Sequence, residues 1–308
     1  MEELTIVMYH YVRPIAGSKF PRIKGLELEQ FKRQLEYLNE RFNIVNTEQV
    51  INAVLDCAKL PKDPCWLTFD DGYRDHFEFV LPELLKRNLH GAFFPPRAAI
   101  DSNAVLDVNA VHHILSSHND IKKLVSKLNE LCVMNGISRT ELMSNYSVYG
   151  IADRFDDADT IYFKRMLQHI LPEDMRNTIT EQLFEESIGI TQADFSNELY
   201  MNIDEVRKLV NNGMYVGSHG SMHYWLDQIS ADQQKQDIVK SLEFLELVGA
   251  STKHWAMCYP YGAHNSDTLS ILKELGASIG LTVEPRKANL SKDNPLKLPR
   301  LDTKDFPH

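Results

Sequence analysis

Polar, titratable side chains follow several short apolar segments of the sequence, at the points where strands are expected to end. In chain order these residues are His10, Asp70, Asp71, His219, His223, Tyr261, His264 and Asp302. In barrels and in open parallel sheets, catalytic groups lie on the loops that leave the carboxyl ends of the strands. Their shared position therefore predicts that these side chains converge at one mouth of a sheet or barrel.

Asp70 and Asp71 form a pair of adjacent carboxylates at the end of the segment CWLTF. Neighbouring residues at a strand end can point in different directions, so one carboxylate can bind a cation while the other faces a substrate. Two close carboxylates raise the pKa of one of them unless a cation or an arginine is present. The tripeptide Asp-Asp-Gly also suits an ordinary turn or helix N-cap, and it does not by itself distinguish these roles.

His219 and His223 are four residues apart. On a helical turn, this spacing places both imidazoles on one face, within reach of one metal ion at about 2.0–2.1 Å per nitrogen. Two unrelated core or surface histidines are the alternative. Together with Asp71 the pair supplies two imidazoles and a carboxylate, a set that suits zinc or another borderline divalent ion with open positions.

Two kinds of segment have to position these residues. Over residues 1–100 and 200–308, short apolar strands alternate with amphipathic helices, a pattern typical of an α/β fold with a parallel sheet. Lys297–Leu301 is predicted to be one of the strands, and Asn202 and Ser230 are predicted to begin helices through capping boxes. Residues 101–199 instead predict helices, and we interpret them as an α-helical insertion.

The composition is that of a globular protein: 308 residues, 43% hydrophobic and 25% charged. These values exclude a disordered, collagen-like or small disulfide-stapled chain. The net charge is −10, and residues 101–200 carry 16 acidic against 8 basic residues, so the acidity belongs mainly to the insertion. We expect no nucleic-acid partner, because the chain offers no basic excess.

The four cysteines are scattered and do not indicate a disulfide framework. No apolar segment approaches the roughly 20 residues that span a bilayer, so no integral membrane segment is expected. The first residues, MEELTIVMYHYV, lack the basic start and the long apolar stretch of a signal peptide. A cytoplasmic location is the resulting expectation.

The motifs resemble those of the polysaccharide deacetylase superfamily with its NodB-type domain. The resemblance rests on LTFDDGYRDHFEFVLPELLKRNLHGAFFP, SHGSMHYWL and YPYG, with MYHYV and LPRLD near the two ends. It covers roughly residues 4–97 and 200–303 and leaves out the insertion. It implies an α/β fold, a distorted (β/α) barrel, with a discontinuous catalytic domain formed by residues 1–100 and 200–308.

The resemblance also implies residue roles. Asp70 corresponds to the general base, and Asp71, His219 and His223 to the metal ligands. The backbone N–H of Tyr261 corresponds to the donor that binds the oxyanion. The implied cofactor is a divalent metal, Zn²⁺ in the first place, with Ni²⁺, Co²⁺ and Mn²⁺ as alternatives.

The sequence departs from the family pattern at three places. Cys258 occupies the position at which many relatives carry an arginine that orients the catalytic aspartate, and Arg300 is a candidate substitute. The C-terminal LxxH histidine, a general acid in many relatives, is missing. His10 is our preferred replacement and His264 the second. Gly220 stands where Ser or Thr is usual, which removes a side-chain hydrogen bond near the metal ligands.

The expected function is hydrolytic removal of an acetyl group from an N- or O-acetylated sugar or glycan intermediate, in surface polysaccharide biosynthesis. The expected partner is an acetylated carbohydrate, and the sequence does not indicate an oligomeric state. Two alternatives stay open: an amidohydrolase that acts on a non-sugar amide, and a carbohydrate-binding relative with impaired catalysis.

Overall fold

The computed structural model describes residues 3–153 and 155–307, which form two compact units. The first unit comprises the chain up to Ala16, Gly25–Asn103, and the chain from Asn197 onward. The second comprises Gly17–Lys24 and Ala104–Ser196. Among the described residues, we find no helix with the length and apolar character needed to cross a bilayer.

The strands all belong to the first unit. They are β1 (Glu3–Tyr9), β2 (Val12–Arg13), β3 (Leu26–Glu27), β4 (Asn43–Ile44), β5 (Pro64–Asp70), β6 (Ala92–Phe94), β7 (Tyr215–Val216), β8 (Ala256–Cys258), β9 (Ile279–Leu281), β10 (Ala288–Asn289) and β11 (Leu301–Asp302). The two longest, β1 and β5, are buried almost throughout. Such burial is expected for parallel strands that are covered on both faces.

Parallel pairing runs around the first unit. From β1 it passes through β5 and β6 to β7, and β11 lies parallel to β1 on its other side. β8 and β9 form a second parallel pair. Isolated bridges complete the circuit: Ser218 pairs with Met257 of β8, and Leu281 of β9 pairs with Leu298. The strands therefore follow one irregular ring, as expected for a distorted (β/α) barrel.

The helices surround this ring or build the second unit. They are α1 (Leu28–Arg41), α2 (Thr47–Leu55), α3 (Leu81–Lys86), α4 (Arg97–Asp101), α5 (Asp107–Ser117), α6 (Ile121–Met134), α7 (Arg139–Tyr149), α8 (Ala158–Arg165), α9 (Glu173–Ile188), α10 (Gln192–Leu199), α11 (Ile203–Asn211), α12 (Ala231–Leu247) and α13 (Ser266–Glu274). The predicted capping boxes at Asn202 and Ser230 begin α11 and α12. Both of these local predictions are confirmed.

The second unit is helical, and it contains a short segment from before α1. Within this unit, Phe20 packs edge-on against His113, with ring centroids 4.9 Å apart, and against Phe195 at 5.7 Å. These contacts explain why Gly17–Lys24 clusters with helices that lie far away in the sequence.

One strand differs from the sequence-based expectation. The predicted strand Lys297–Leu301 is wrong: Pro295–Lys297 is a 3₁₀ turn, and β11 covers only Leu301–Asp302. Pro295 and Pro299 explain the difference, because proline has no N–H to donate to a strand neighbour.

Candidate functional site

The alternation of side chains along the strands selects which residues face the barrel interior. On β5, Trp66 packs in the cluster that also contains Ile6 of β1 and Cys258 of β8. Side chains two residues apart lie on the same face of a strand. Asp70 therefore continues the interior row of Trp66, and His10, just beyond β1, continues the row of Ile6.

The three predicted metal ligands lie together and are buried. Nε2 of His219 and Nε2 of His223 each lie 3.3 Å from Oδ1 of Asp71. All three residues are less than 9% exposed. The sequence analysis named these residues, and the structure brings them to one point.

This spacing fits a metal ion. Two ligand bonds of about 2.0–2.1 Å at a tetrahedral angle span about 3.3–3.4 Å between the ligand atoms. The two observed nitrogen–oxygen distances match that edge. The imidazole and carboxylate donors are those of catalytic zinc-type sites with three protein ligands and an open position. The residues therefore fit a divalent metal ion.

The helical turn expected for the two histidines is wrong. Residues 219–223 form a loop between β7 and a 3₁₀ turn at Leu226–Gln228. Gly220 and His223 have positive φ values of 72° and 57°. These left-handed residues bend the chain back, so His223 reaches His219 across the loop, with ring centroids 4.8 Å apart. The spacing of four residues correctly indicated that the two imidazoles lie together. Their relative orientation comes from the left-handed backbone turns, which the spacing does not predict.

Asp71 is held in a similarly constrained conformation. Its φ is 72° and that of Gly72 is 71°. A Cβ atom on Gly72 would lie 2.8 Å from Cβ of Pro95, so the close approach of the two segments requires glycine there. The hydroxyl group of Tyr73 donates a hydrogen bond to Oδ2 of Asp71. Oδ1 is thereby left to face the two histidines.

The pKa shifts of the candidate ligands bear on whether they can bind a metal ion. Burial raises the pKa of Asp71, but hydrogen bonds from His219 and His223 outweigh it and hold this pKa well below its usual value. Burial lowers the pKa of His223, which favours the neutral imidazole. Burial acts in the same direction on His219, but Cys258 and Asp71 outweigh it and raise the pKa of His219, so a metal ion has to displace a proton there. An ionised carboxylate and a neutral imidazole are the forms that ligate metal ions.

A second set of donors, Asp70, His219 and Cys258, also lies within ligand range. Nδ1 of His219 donates a hydrogen bond of 2.7 Å to the carbonyl oxygen of Cys258, which directs Nε2 toward Asp71. Such a bond to the second ring nitrogen is the usual support of a metal-binding histidine. The Asp71 set is therefore the one in which His219 is correctly oriented.

Asp70 is paired with Arg300 deep in the barrel. Nη1 of Arg300 lies 3.0 Å from Oδ1 of Asp70, and Nη2 lies 2.8 Å from Oδ2. The thiol of Cys258 donates a hydrogen bond of 3.3 Å to the same Oδ2. Burial raises the pKa of Asp70, but Arg300, His219 and His10 together bring it below the ordinary value. Asp70 is consequently ionised at neutral pH although it is 1% exposed.

The two candidate acids occupy different places. Nε2 of His10 lies 3.9 Å from Oδ2 of Asp70, and its side chain is 40% exposed. Nε2 of His76 donates a hydrogen bond of 2.9 Å to the carbonyl oxygen of His10, which fixes the chain at that point. His264 stacks on Tyr259 and bonds through Nδ1 to the carbonyl oxygen of Gly262. The structure thus brings His10 to Asp70 and places His264 against Tyr259.

Tyr261 lies beside the histidine pair. Its ring stacks on Trp225 with a centroid separation of 4.3 Å and meets the edge of His223 at 4.8 Å. Its φ of 58° is left-handed, which is rare outside glycine and turns the local backbone. Asp71, His223 and Tyr261 all share this strained conformation. Strain of this kind clusters at functional sites.

Several residues that support the site were not found from the sequence. Tyr73 holds Asp71, His76 holds the His10 backbone, and Asp237 of α12 accepts hydrogen bonds from the loop between His219 and His223. Tyr73 and His76 follow the Asp-Asp-Gly motif closely, and this proximity was a usable signal. Asp237 gave none, since it lies in the middle of a polar helix.

Comparison with known proteins agrees with the resemblance drawn from the motifs. The family model described as polysaccharide deacetylase matches residues 152–280. That range includes His219, His223 and Tyr261, whereas Asp70 and Asp71 lie outside it. No curated protein matches the sequence.

Solved structures of deacetylases share the fold. Streptococcus pyogenes deacetylase PplD, determined in complex with acetate, aligns over 98% of this chain and 92% of its own, at 16% identity and a TM-score of 0.58. The BpsB deacetylase domain from Bordetella bronchiseptica aligns over 97% and 95%, at 16% identity and 0.57. IcaB from Ammonifex degensii aligns over 98% and 92%, at 17% identity and 0.55. The expected α/β fold of the NodB type and the resemblance to polysaccharide deacetylases are therefore confirmed.

Proposed function

We propose that this protein is a metal-dependent hydrolase that removes an acetyl group from an N- or O-acetylated sugar or glycan. The observation that carries the proposal is an ionised, arginine-paired Asp70 directly beside the metal-type cluster of Asp71, His219 and His223. A base next to a metal ion is an arrangement that hydrolyses amides and esters.

Asp71, His219 and His223 would hold the ion, with Zn²⁺ the first choice and Ni²⁺, Co²⁺ or Mn²⁺ as alternatives. When bound, a divalent ion of this kind polarises a carbonyl group and makes a water molecule more acidic. Tyr73 and the carbonyl oxygen of Cys258 orient two of the three ligands. Such supporting hydrogen bonds set the affinity of a metal site.

Asp70 serves as the general base. It takes a proton from the water molecule as the water oxygen attacks the carbonyl carbon of the acetyl group. Arg300 keeps the carboxylate ionised and fixes its plane through two parallel hydrogen bonds. The arginine that many relatives carry at the position of Cys258 is thus replaced, in this proposal, by an arginine from the last strand region.

His10 serves as the general acid. The carbon–nitrogen bond of the acetamido group breaks as His10 gives a proton to the departing amine, leaving acetate and the free amino sugar. Its position near Asp70 and its partial exposure support this role. The backbone N–H of Tyr261 would stabilise the oxyanion; losing one such donor typically costs about 10²–10³ in rate.

We assign the chemistry to the first unit, because every one of these residues belongs to it. The acidic helical unit, expected from the sequence as an insertion over residues 101–199, keeps an open role. The cytoplasmic location stays a prediction. If it holds, the substrate is a sugar or glycan intermediate available inside the cell, used in building surface polysaccharide.

The proposal is tested by acetate release from N-acetylglucosamine oligomers, with small non-sugar amides as the comparison. We expect hydrolysis of the sugar substrate and loss of hydrolysis after chelation. Preference for a small amide would favour the amidohydrolase alternative. Failure to bind any divalent metal would favour an impaired carbohydrate-binding relative.

A further inference from the structure

We propose that Asp237 of α12 is a positioning residue that holds the loop carrying His219 and His223 in its metal-binding conformation. The inference deepens the proposed function, since it concerns the same metal site. It assigns a task to a buried carboxylate that touches neither Asp70 nor Asp71 and takes no part in the chemistry described above.

Both oxygens of Asp237 are committed to this loop. Oδ2 accepts a hydrogen bond of 2.9 Å from the backbone N–H of Ser221, and Oδ1 accepts one of 2.8 Å from the N–H of Met222. The residue is 4% exposed. Burying a carboxylate destabilises the fold unless its oxygens accept hydrogen bonds. Asp237 accepts its two bonds from the backbone N–H groups of the two residues that precede His223.

Gly220 and Asp237 fit each other. A Cβ atom at position 220 would lie 2.6 Å from Oδ2 of Asp237, closer than contact allows, and Gly220 has a φ of 72°. Any larger residue there would push the carboxylate away from the loop. The glycine that replaces the usual Ser or Thr is therefore explained: Asp237 supplies from α12 the support that a hydroxyl at position 220 does not give here.

The rest of the loop is anchored independently of Asp237. The N–H of Ala98, in the first turn of α4, donates to the carbonyl oxygen of Ser221, and Ser218 bonds to Ser241 of α12 through its hydroxyl. These bonds fix the start and the outer edge of the loop. They leave the N–H groups of residues 221 and 222 to Asp237 alone among the described contacts, directly before the left-handed His223.

Asp237→Asn provides the test, because asparagine keeps the shape but offers one acceptor and one donor. A donor would then face one of the two backbone N–H groups. We expect the affinity for Zn²⁺ or Co²⁺ to weaken by about 10–100-fold, the range typical of lost supporting bonds around metal ligands. The measurement is a competition titration with a chromophoric chelator. Asp232→Asn is the matched control, since Asp232 lies exposed on the same helix, and it should leave metal affinity unchanged.

A second measurement separates positioning from general stability. The buried N–H left without an acceptor lowers the metal-free Tm of Asp237→Asn by itself, so the quantity compared is the rise in Tm on adding metal. We expect this rise to shrink in Asp237→Asn and to keep its wild-type size in Asp232→Asn. Gly220→Ala should weaken metal binding in the same direction. Unchanged metal affinity in Asp237→Asn, or a fall in metal-free Tm without any change in affinity, would overturn the inference.

The outcome is distinguishable from failure of the proposed function. If the wild-type protein binds metal but releases no acetate from sugars, the proposed function is wrong, and Asp237 is still judged by its effect on affinity. If the wild type binds no divalent metal at all, the inference is overturned together with the metal site.

Discussion

Replacing Arg300 by methionine removes the cationic partner of the buried ion pair with Asp70. Methionine keeps much of the volume of arginine but removes the guanidinium group that contacts both oxygens of Asp70. Asp70 is left 1% exposed next to the weak thiol donor of Cys258. The desolvation that opposes ionisation of Asp70 is then compensated only by His219 and His10, which lower its pKa less than Arg300 does.

The size of the effect follows from the geometry. A neighbouring arginine lowers the pKa of an aspartate by about 1–3 units, and each unit corresponds to about 1.4 kcal/mol. Removing one partner of a buried ion pair costs about 3–5 kcal/mol, because a buried charge loses its partner. We therefore expect Arg300→Met to be about 3–5 kcal/mol less stable than the wild type at pH 8. The pKa of Asp70 should rise above its ordinary value.

The pH dependence has opposite signs in the two proteins. In the wild type the folded-state pKa of Asp70 is lowered. The Asp70–Arg300 pair therefore stabilises the fold at pH values above the unfolded-state pKa, and this contribution is lost as the pH falls through the folded-state pKa. In Arg300→Met the folded-state pKa is raised, so stability is lost as pH rises through the window between the two values. Protonation of Asp70 removes the buried charge, so the difference between the proteins should narrow at pH 5.

Urea denaturation at pH 5 and pH 8, together with the pH profile of kcat/KM, measures both effects. We expect the acid limb of the profile to move to higher pH by at least about one unit in Arg300→Met. Adding Asp70→Asn to this variant should restore part of the lost stability at pH 8, because it removes the buried charge that has lost its arginine partner. An unshifted acid limb, or a stability loss that is the same at both pH values, would refute the role assigned to Arg300.

Three further results are expected. His10→Gln should lower kcat for an N-acetyl substrate by about 10²–10⁴-fold, which is the usual contribution of a general acid. His264→Gln is the control and should change kcat little. Equal losses of kcat in the two variants, measured by steady-state kinetics, would contradict the choice of His10. Tyr73→Phe removes the hydrogen bond to Oδ2 of Asp71. It should weaken metal binding by about 10–100-fold in a chelator competition. Unchanged metal affinity would show that Asp71 does not need this hydrogen bond. Metal affinity should fall as the pH is lowered, because protons compete with the metal ion for His219 and His223. A pH-independent affinity by calorimetry would argue against histidine ligation.

The sequence predicted the participants of the site better than its geometry. The strand ends indicated Asp70, Asp71 and the two histidines, because side chains at the carboxyl ends of parallel strands meet at one mouth. Arg300 was accessible to the same reasoning, as a charge near another strand end. These residues could be found from the sequence because each lies at the carboxyl end of a predicted strand, and these ends meet at one mouth of the barrel.

Other features depend on backbone conformations that residue types do not reveal. Left-handed Gly220 and His223 replace the expected helical turn, and left-handed Asp71 fixes the direction from which its carboxylate faces the two histidines. Asp237 lies on a helix with no motif, and its task follows only from the two N–H groups beside it. Closure of the barrel likewise depends on isolated bridges such as Ser218–Met257, which leave no periodic pattern.

The most direct test of the central claim is acetate release from N-acetylglucosamine oligomers by the Asp70→Asn variant loaded with metal. The account predicts that this variant binds one divalent ion per chain as tightly as the wild type and releases no acetate above background, while the metal-loaded wild type does. Acetate release by Asp70→Asn at the wild-type rate would contradict the assignment of Asp70 as the base. Loss of metal from this variant would contradict the division of labour between Asp70 and Asp71.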